Sequence, residues 1–229
     1  MSRKVIITGG VGVGKTSIID YVQKELSEHN VKYHIVPEYI DKLPDAVEKL
    51  GKYLRKEMPS VEFQQYVLHY YDWYFTRHDI DEDAVVILER GIDDPIVCFS
   101  NMDNAKGILK DHELELLREE SISIGRKHNI PSYFHNDNEF VFIPVKTIDA
   151  ESDGRMIASI IRFRPDSNIV IGLYNDDETC YNRMVKRGRE GEVEVYTRGY
   201  ISQFNNIYNK LYKSLMSTGY VDKKLSKYL

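Results

Sequence analysis

Cysteine is nearly missing from this chain, and long apolar runs are missing altogether. The two cysteines, Cys98 and Cys180, stand far apart with no Cys-x-x-Cys spacing. That excludes a disulfide framework and a thiolate zinc site, so both are read as buried thiols in a reducing compartment. No apolar stretch approaches the roughly 20 residues of a membrane span. The start Met1-Ser2-Arg3-Lys4 passes straight into Val5-Ile6-Ile7 rather than into a signal-peptide core. A cytoplasmic location without a membrane partner is expected. Charge of one sign is also lacking in bulk: the net charge is -5, and both signs are scattered through both halves. Without a basic stripe, nucleic acid is excluded as the main partner, and a small-molecule ligand is expected. At 229 residues the chain can bury a sizeable core, and the default is one domain over 1–229.

What the sequence does have is a glycine-rich signature at its start. Gly9-Gly10-Val11-Gly12-Val13-Gly14-Lys15-Thr16-Ser17 follows the apolar run Val5-Ile6-Ile7-Thr8 directly. It reads as a P-loop between a buried strand and a helix. The glycines let backbone N–H groups turn inward around phosphates, Lys15 can reach the transferring phosphate, and the Thr16 hydroxyl can ligate Mg2+. Binding of ATP with Mg2+ is therefore expected.

Four short apolar runs, Val5 to Ile7, Tyr33 to Val36, Val85 to Leu88 and Ile169 to Tyr174, are continuous rather than alternating. Such runs suit strands covered on both faces. Stretches of helical spacing separate them, which predicts an α/β fold of the P-loop type: a doubly wound parallel sheet flanked by helices. Ser60 is read as the N-cap of a helix reaching about His78, with Gln64, Val67 and Tyr71 on one stripe. Further helices are expected at about 111–127, 177–188 and 197–216. The stretch of about 128–167, with His135-Asn136-Asp137-Asn138 and the β-like Phe140-Val141-Phe142-Ile143, has no clear place in the core. It is read as an insertion that forms a lid, a hairpin or a contact surface. Polar residues follow the strands, Glu38 after the second and Glu89-Arg90 after the third, on the edge where open parallel sheets bind ligands.

The order of those polar residues resembles the deoxynucleoside kinase family. Glu38 lies in Pro37-Glu38-Tyr39-Ile40-Asp41. Tyr53 and Gln64 follow, Leu88-Glu89-Arg90 precedes Phe99, and Tyr181-Asn182-Arg183 runs through Lys186-Arg187-Gly188-Arg189 to Glu192. The resemblance implies transfer of the ATP γ-phosphoryl group to the 5′-hydroxyl of a deoxynucleoside. It makes Glu38 the general base, Tyr53 the contact to the sugar 3′-hydroxyl, and Gln64 the partner of the base, with Val67, Tyr71, Pro95 and Phe99 around it. Arg183, Arg187 and Arg189 become phosphate clamps of an arginine-rich lid, 183–195, in which Glu192 supports the 3′-hydroxyl. Arg90 would hold Glu38 ionised, and Glu89 would join Thr16 at Mg2+. A homodimer is implied as well.

The chain departs from that pattern at several places. Gly91 replaces the usual serine, Tyr39 stands where proline is frequent, and Leu43 where tryptophan is common. At Tyr71 and Pro95 the deoxycytidine-type members have arginine and aspartate. A bulky Tyr71 would shorten the pocket, which points to a pyrimidine, thymidine or deoxyuridine before deoxycytidine. Two other readings remain at this level: a nucleoside monophosphate kinase of thymidylate kinase type, and a nucleotide-dependent switch with no acceptor chemistry. For the switch no guanine-reading Asn-Lys-x-Asp element is present.

Overall fold

A central strand of unbroken apolar residues organises the computed structural model, which describes residues 2–134, 139–188 and 192–217. The chain divides into two compact units. Met1–Val36, Ile80–Arg90 and Glu139–Leu229 form the first, Pro37–Asp79 and Gly91–Asn138 the second.

The first unit holds a parallel sheet of β1 (Lys4–Gly9), β2 (Tyr33–Val36), β3 (Val85–Glu89), β4 (Phe140–Lys146) and β5 (Asn168–Tyr174), in the order β2-β3-β1-β5-β4. Val5, Ile6 and Ile7 in the middle strand are fully buried, as strands covered on both faces require. β2 is different. As an edge strand it leaves Tyr33, His34 and Ile35 half-buried. Among the described residues this unit has the helices α1 (Lys15–Glu28), α6 (Ala150–Phe163), α7 (Asp177–Arg187), α8 (Glu192–Val195) and α9 (Arg198–Ser217). In α1 the stripe Ile18, Ile19, Val22 and Leu26 is buried. α6 packs on α1 closely enough that a Cβ at Gly154 would stand 2.4 Å from Cβ of Tyr21, so only glycine fits there. α9 buries Ile201, Phe204, Tyr208, Tyr212 and Leu215 at helical spacing, and the Tyr212 hydroxyl donates to the Leu173 carbonyl at 3.1 Å.

β4 and α6 come from the stretch that offered no place in the core. They form a regular strand and helix: β4 pairs with β5 along its whole length, and Pro144 lies opposite Gly172. Proline is tolerated because β4 is the outermost strand and needs no ladder bond on its free side. His135, Asn136, Asp137 and Asn138 lie outside the described residues.

The second unit is helical, with α2 (Ala46–Leu54), α3 (Ser60–Arg77), α4 (Asn101–Ala105) and α5 (Asp111–His128), a 3-10 turn at Tyr39–Asp41 and a π-helical turn at Pro95–Ser100. α3 and α5 pack together. Phe63, Val67, Tyr70, Tyr71 and Tyr74 give α3 an aromatic buried face. Ser60 is not the N-cap expected of it. It is the first helical residue after Pro59, its side chain makes no capping bond, and its hydroxyl donates to Asp103 instead. Fully buried Asp93 accepts hydrogen bonds from the Ser121 hydroxyl of α5 and from the Tyr133 amide. Burial outweighs these donors and pushes its carboxyl up to about 6.

Candidate active site

In the first unit the turn between β1 and α1 is a cradle. Gly12 has φ +75°, and a Cβ there would lie 2.0 Å from the Cys180 carbonyl oxygen. Both the backbone conformation and the close approach of α7 therefore demand glycine. The backbone of residues 12–18 opens on a cavity of about 480 Å3, whose other walls are Glu89, Thr147, Ala150, Asp153, Arg183, Lys186 and Arg187. Three of those wall residues are cationic. They share the cavity with the N-terminus of α1, whose first N–H groups have no partner within the helix, an arrangement that attracts phosphate.

Lys15 is buried, and its Nζ donates to the carbonyls of Gly9 (3.2 Å) and Gly10 (3.1 Å). The ammonium thus lies across the loop. The Thr16 hydroxyl donates to Glu89 Oε1 at 2.8 Å. Among the described residues no cluster of three or more His, Cys, Asp or Glu could hold a metal by itself. Thr16 and Glu89 offer one hydroxyl and one carboxylate, the small protein share that Mg2+ takes when phosphates and waters fill the remaining positions. The residues present therefore fit that ion.

Arg183 is anchored rather than loose. Its Nη1 donates to the Val13 carbonyl and to Thr147 Oγ1, each at 3.1 Å. The Asn175 side-chain amide in turn donates to the Thr147 carbonyl at 2.6 Å and to its Oγ1 at 2.9 Å. The turn between β4 and α6 is thus tied to the P-loop through a guanidinium. Arg90, with φ +70°, donates from Nη1 to the Gly9 carbonyl (3.0 Å) and the Tyr208 hydroxyl (3.1 Å).

In the second unit Glu38 is half-buried and extended (φ -61°, ψ 148°), immediately before the 3-10 turn. The carbonyl of the preceding Pro37 accepts the Tyr70 hydroxyl at 2.7 Å, which fixes the chain at that point. Burial raises the Tyr70 phenol well above its ordinary value, so it remains a donor. Gln64, Val67 and Tyr71 are buried on α3, and the Tyr53 ring stacks on Phe63 with centroids 4.4 Å apart and planes 7° apart. Pro95 opens the π-helical turn and Phe99 is half-buried within it. The Gln64 Nε2 is buried and has no hydrogen-bond partner among the described residues.

The residues singled out in the sequence thus fall into two groups. The first unit gathers Gly12, Val13, Gly14, Lys15, Thr16, Ser17, Glu89, Arg183 and Arg187 around one cavity, with Gly9 and Gly10 accepting from Lys15. Val11 is buried beside them, and Arg90 turns to Gly9. The second unit carries Glu38, Tyr53, Gln64, Val67, Tyr71, Pro95 and Phe99. Arg189 lies outside the described residues, and Glu192 begins α8. Sequence reasoning missed Thr147, Ala150 and Asp153 in the cavity wall and Asp103 behind Tyr53. No local motif marks them; only the pairing of β4 and the packing of α4 bring them in.

Residues 5–148 match the family model described as deoxynucleoside kinase. No curated protein sequence matches the chain. Among solved structures the chain is similar to deoxyadenosine kinase from M. mycoides with bound dCTP, at 17% identity and a TM-score of 0.59, over 96% of this chain and 88% of that one. With products dCMP and a flexible dCDP bound, the same enzyme matches at 20% identity and a TM-score of 0.59, over the same shares. With bound dATP it matches at 19% and 0.56, over 96% and 89%. At such identities the likeness establishes the fold. The family match spans well over half of the sequence and runs from the P-loop strand β1 through the helices of the second unit to β4, so the chain belongs to the deoxynucleoside kinase family and is an ATP-dependent deoxynucleoside kinase.

Proposed function

We propose that this kinase moves the γ-phosphoryl group of Mg-ATP to the 5′-hydroxyl of a deoxynucleoside with a pyrimidine base, thymidine first, in nucleotide salvage. The observation that carries the acceptor side is Gln64. A buried amide N–H with no partner costs about 1–3 kcal/mol, and a base that accepts from Nε2 while donating to Oε1 relieves that cost. Tyr71, buried on the same helix, shortens the space available to a ring, which favours the smaller base. The deoxyadenosine kinase neighbours, which hold dATP and dCTP, make both classes of base necessary in the test.

On the donor side, Lys15, Arg183 and Arg187 bind and neutralise phosphate oxygens, and Thr16 and Glu89 hold Mg2+, which when bound spreads the charge developing in transfer. Glu38 accepts the hydroxyl proton, an effect worth about 10²–10⁴ in rate. Arg90 keeps a cationic group beside the reacting oxygens, Tyr53 and Glu192 hold the sugar 3′-hydroxyl, and Val67, Pro95 and Phe99 enclose the base. Residues 183–195, including Arg189, act as a lid, and the two compact units serve one kinase domain that works as a homodimer in the cytoplasm.

The test is a labelled-ATP assay against the four deoxynucleosides, deoxyuridine and thymidine monophosphate, with Glu38→Gln in parallel. Thymidine is expected to give the highest kcat/KM, and E38Q to lose at least 100-fold in kcat. Preference for deoxyadenosine would overturn the base assignment, and faster turnover of the monophosphate would overturn the nucleoside acceptor. An undiminished E38Q would remove Glu38 from the chemistry.

A further inference from the structure

The second unit contains a buried carboxylate that neither the family resemblance nor the phosphoryl transfer uses. Asp103, on α4, is 5% exposed. Its Oδ2 accepts two hydroxyl protons, from Tyr53 at 2.8 Å and from Ser60 at 2.6 Å. The three residues come from three helices, α2, α3 and α4, and all three are buried. Ser60 is the first residue of α3, so the negative charge lies at the end of a helix that favours it.

The Tyr53 ring is already held by its stack on Phe63. The carboxylate meets that side chain at its hydroxyl tip. A phenol has one proton and two lone pairs, and a carboxylate can only accept. With its proton given to Asp103, the Tyr53 oxygen can meet a ligand only as an acceptor.

We propose that Asp103 is a positioning residue that sets sugar specificity: by taking the Tyr53 proton it fixes that oxygen as an acceptor, so the sugar is recognised through a 3′-substituent that donates a hydrogen bond. This rests on the reading of Tyr53 as the 3′-hydroxyl contact and deepens it. A lone tyrosine could turn its proton either way and would serve 3′-hydroxyl, 3′-amino and 3′-fluoro groups alike. The Asp103–Tyr53 pair rejects the fluoro group, which can only accept.

The experiment compares kcat/KM for the best deoxynucleoside with its 3′-amino, 3′-fluoro and 3′-deoxy counterparts. The wild-type protein is expected to accept the 3′-hydroxyl and 3′-amino compounds and to disfavour both others by about 10-fold or more, the size of one hydrogen bond. Equal use of the 3′-fluoro and 3′-hydroxyl compounds by the wild type would overturn the proposal without any variant. Asp103→Ala is expected to lower the hydroxyl-to-fluoro ratio by about threefold or more, chiefly through the hydroxyl substrate, whereas Asp103→Asn, which keeps an acceptor oxygen, restores most of the ratio. Tyr53→Phe should lower the ratio by a similar factor and leave the share that Glu192 contributes as a second acceptor, and D103A added to Y53F should change it no further. If Y53F lowers the ratio and D103A leaves it intact, the Tyr53 reading stands and the role of Asp103 is refuted. If Y53F itself leaves the ratio intact, the Tyr53 reading has failed.

Discussion

Asp93 and Asp103 are both buried carboxylates in the second unit, yet their surroundings set them different tasks. Asp93 accepts from a serine hydroxyl and a backbone amide, and burial still lifts its carboxyl to about 6. Its folded-state value thus lies above its ordinary 3.8, so the folded protein holds that proton more tightly than the unfolded chain. The sign follows: the Asp93 contribution is fully present below pH ~4 and is lost as pH rises through about 6. In chemical denaturation at several pH values, wild-type stability relative to Asp93→Asn is expected to decline between about pH 4 and 6 and to level off above 7. A difference that is flat or that rises across this window would refute the assignment. At this scale the sequence was legible where chemistry is local. Gly12, Lys15 and Thr16 announce a phosphate cradle by spacing alone, because one turn of backbone builds it. Asp103 could not be read in that way, since its meaning lies in two hydroxyls from other helices.

At the scale of elements, β1, β2, β3 and β5 follow apolar runs, and α5, α7 and α9 follow amphipathic stretches close to where periodicity puts them. β4 and α6 were legible only in part: Phe140 to Ile143 reads as β-like and Asp149 to Arg162 as mixed helical, but neither found a place in the core, and the reasons are physical. Proline at 144 argues against a strand unless the strand is known to be outermost, and which strand is outermost is a property of pairing rather than of composition. The start of α6 is nonetheless well specified once seen: the Asp149 side chain accepts from the Ser152 amide at 2.9 Å, an N-cap in the usual sense. Asp149→Ala should therefore cost about 1 kcal/mol of stability in denaturant titration. Because Ala150 and Asp153 line the P-loop cavity proposed to bind the donor, the same variant should also raise the KM for ATP while leaving that for the nucleoside unchanged. A loss of stability with no change in the ATP KM would separate α6 from donor binding.

For the whole molecule, the division into two compact units corresponds to a division of proposed labour. The P-loop, Glu89 and the arginines of α7 belong to the first, and the residues proposed to hold base and sugar belong to the second. Hydrogen exchange read peptide by peptide should reflect this. A non-hydrolysable ATP analogue with Mg2+ is expected to slow exchange in residues 12–18 and 147–153, and the nucleoside in residues 53–71 and 95–103. Protection by the nucleoside that spares α3 would contradict the role given to Gln64.

The strand order carries a consequence for biosynthesis. β4 leaves the ribosome before β5, but β5 is the strand that lies between it and β1. Until residue 174 has been made, the apolar segment Phe140–Lys146 has no hydrogen-bonding neighbour on either side, and the sheet is completed by threading its last strand into an interior slot. Such assembly closes a long loop late, so a nascent chain stalled between these two strands is expected to expose an unpaired apolar strand that is prone to aggregate.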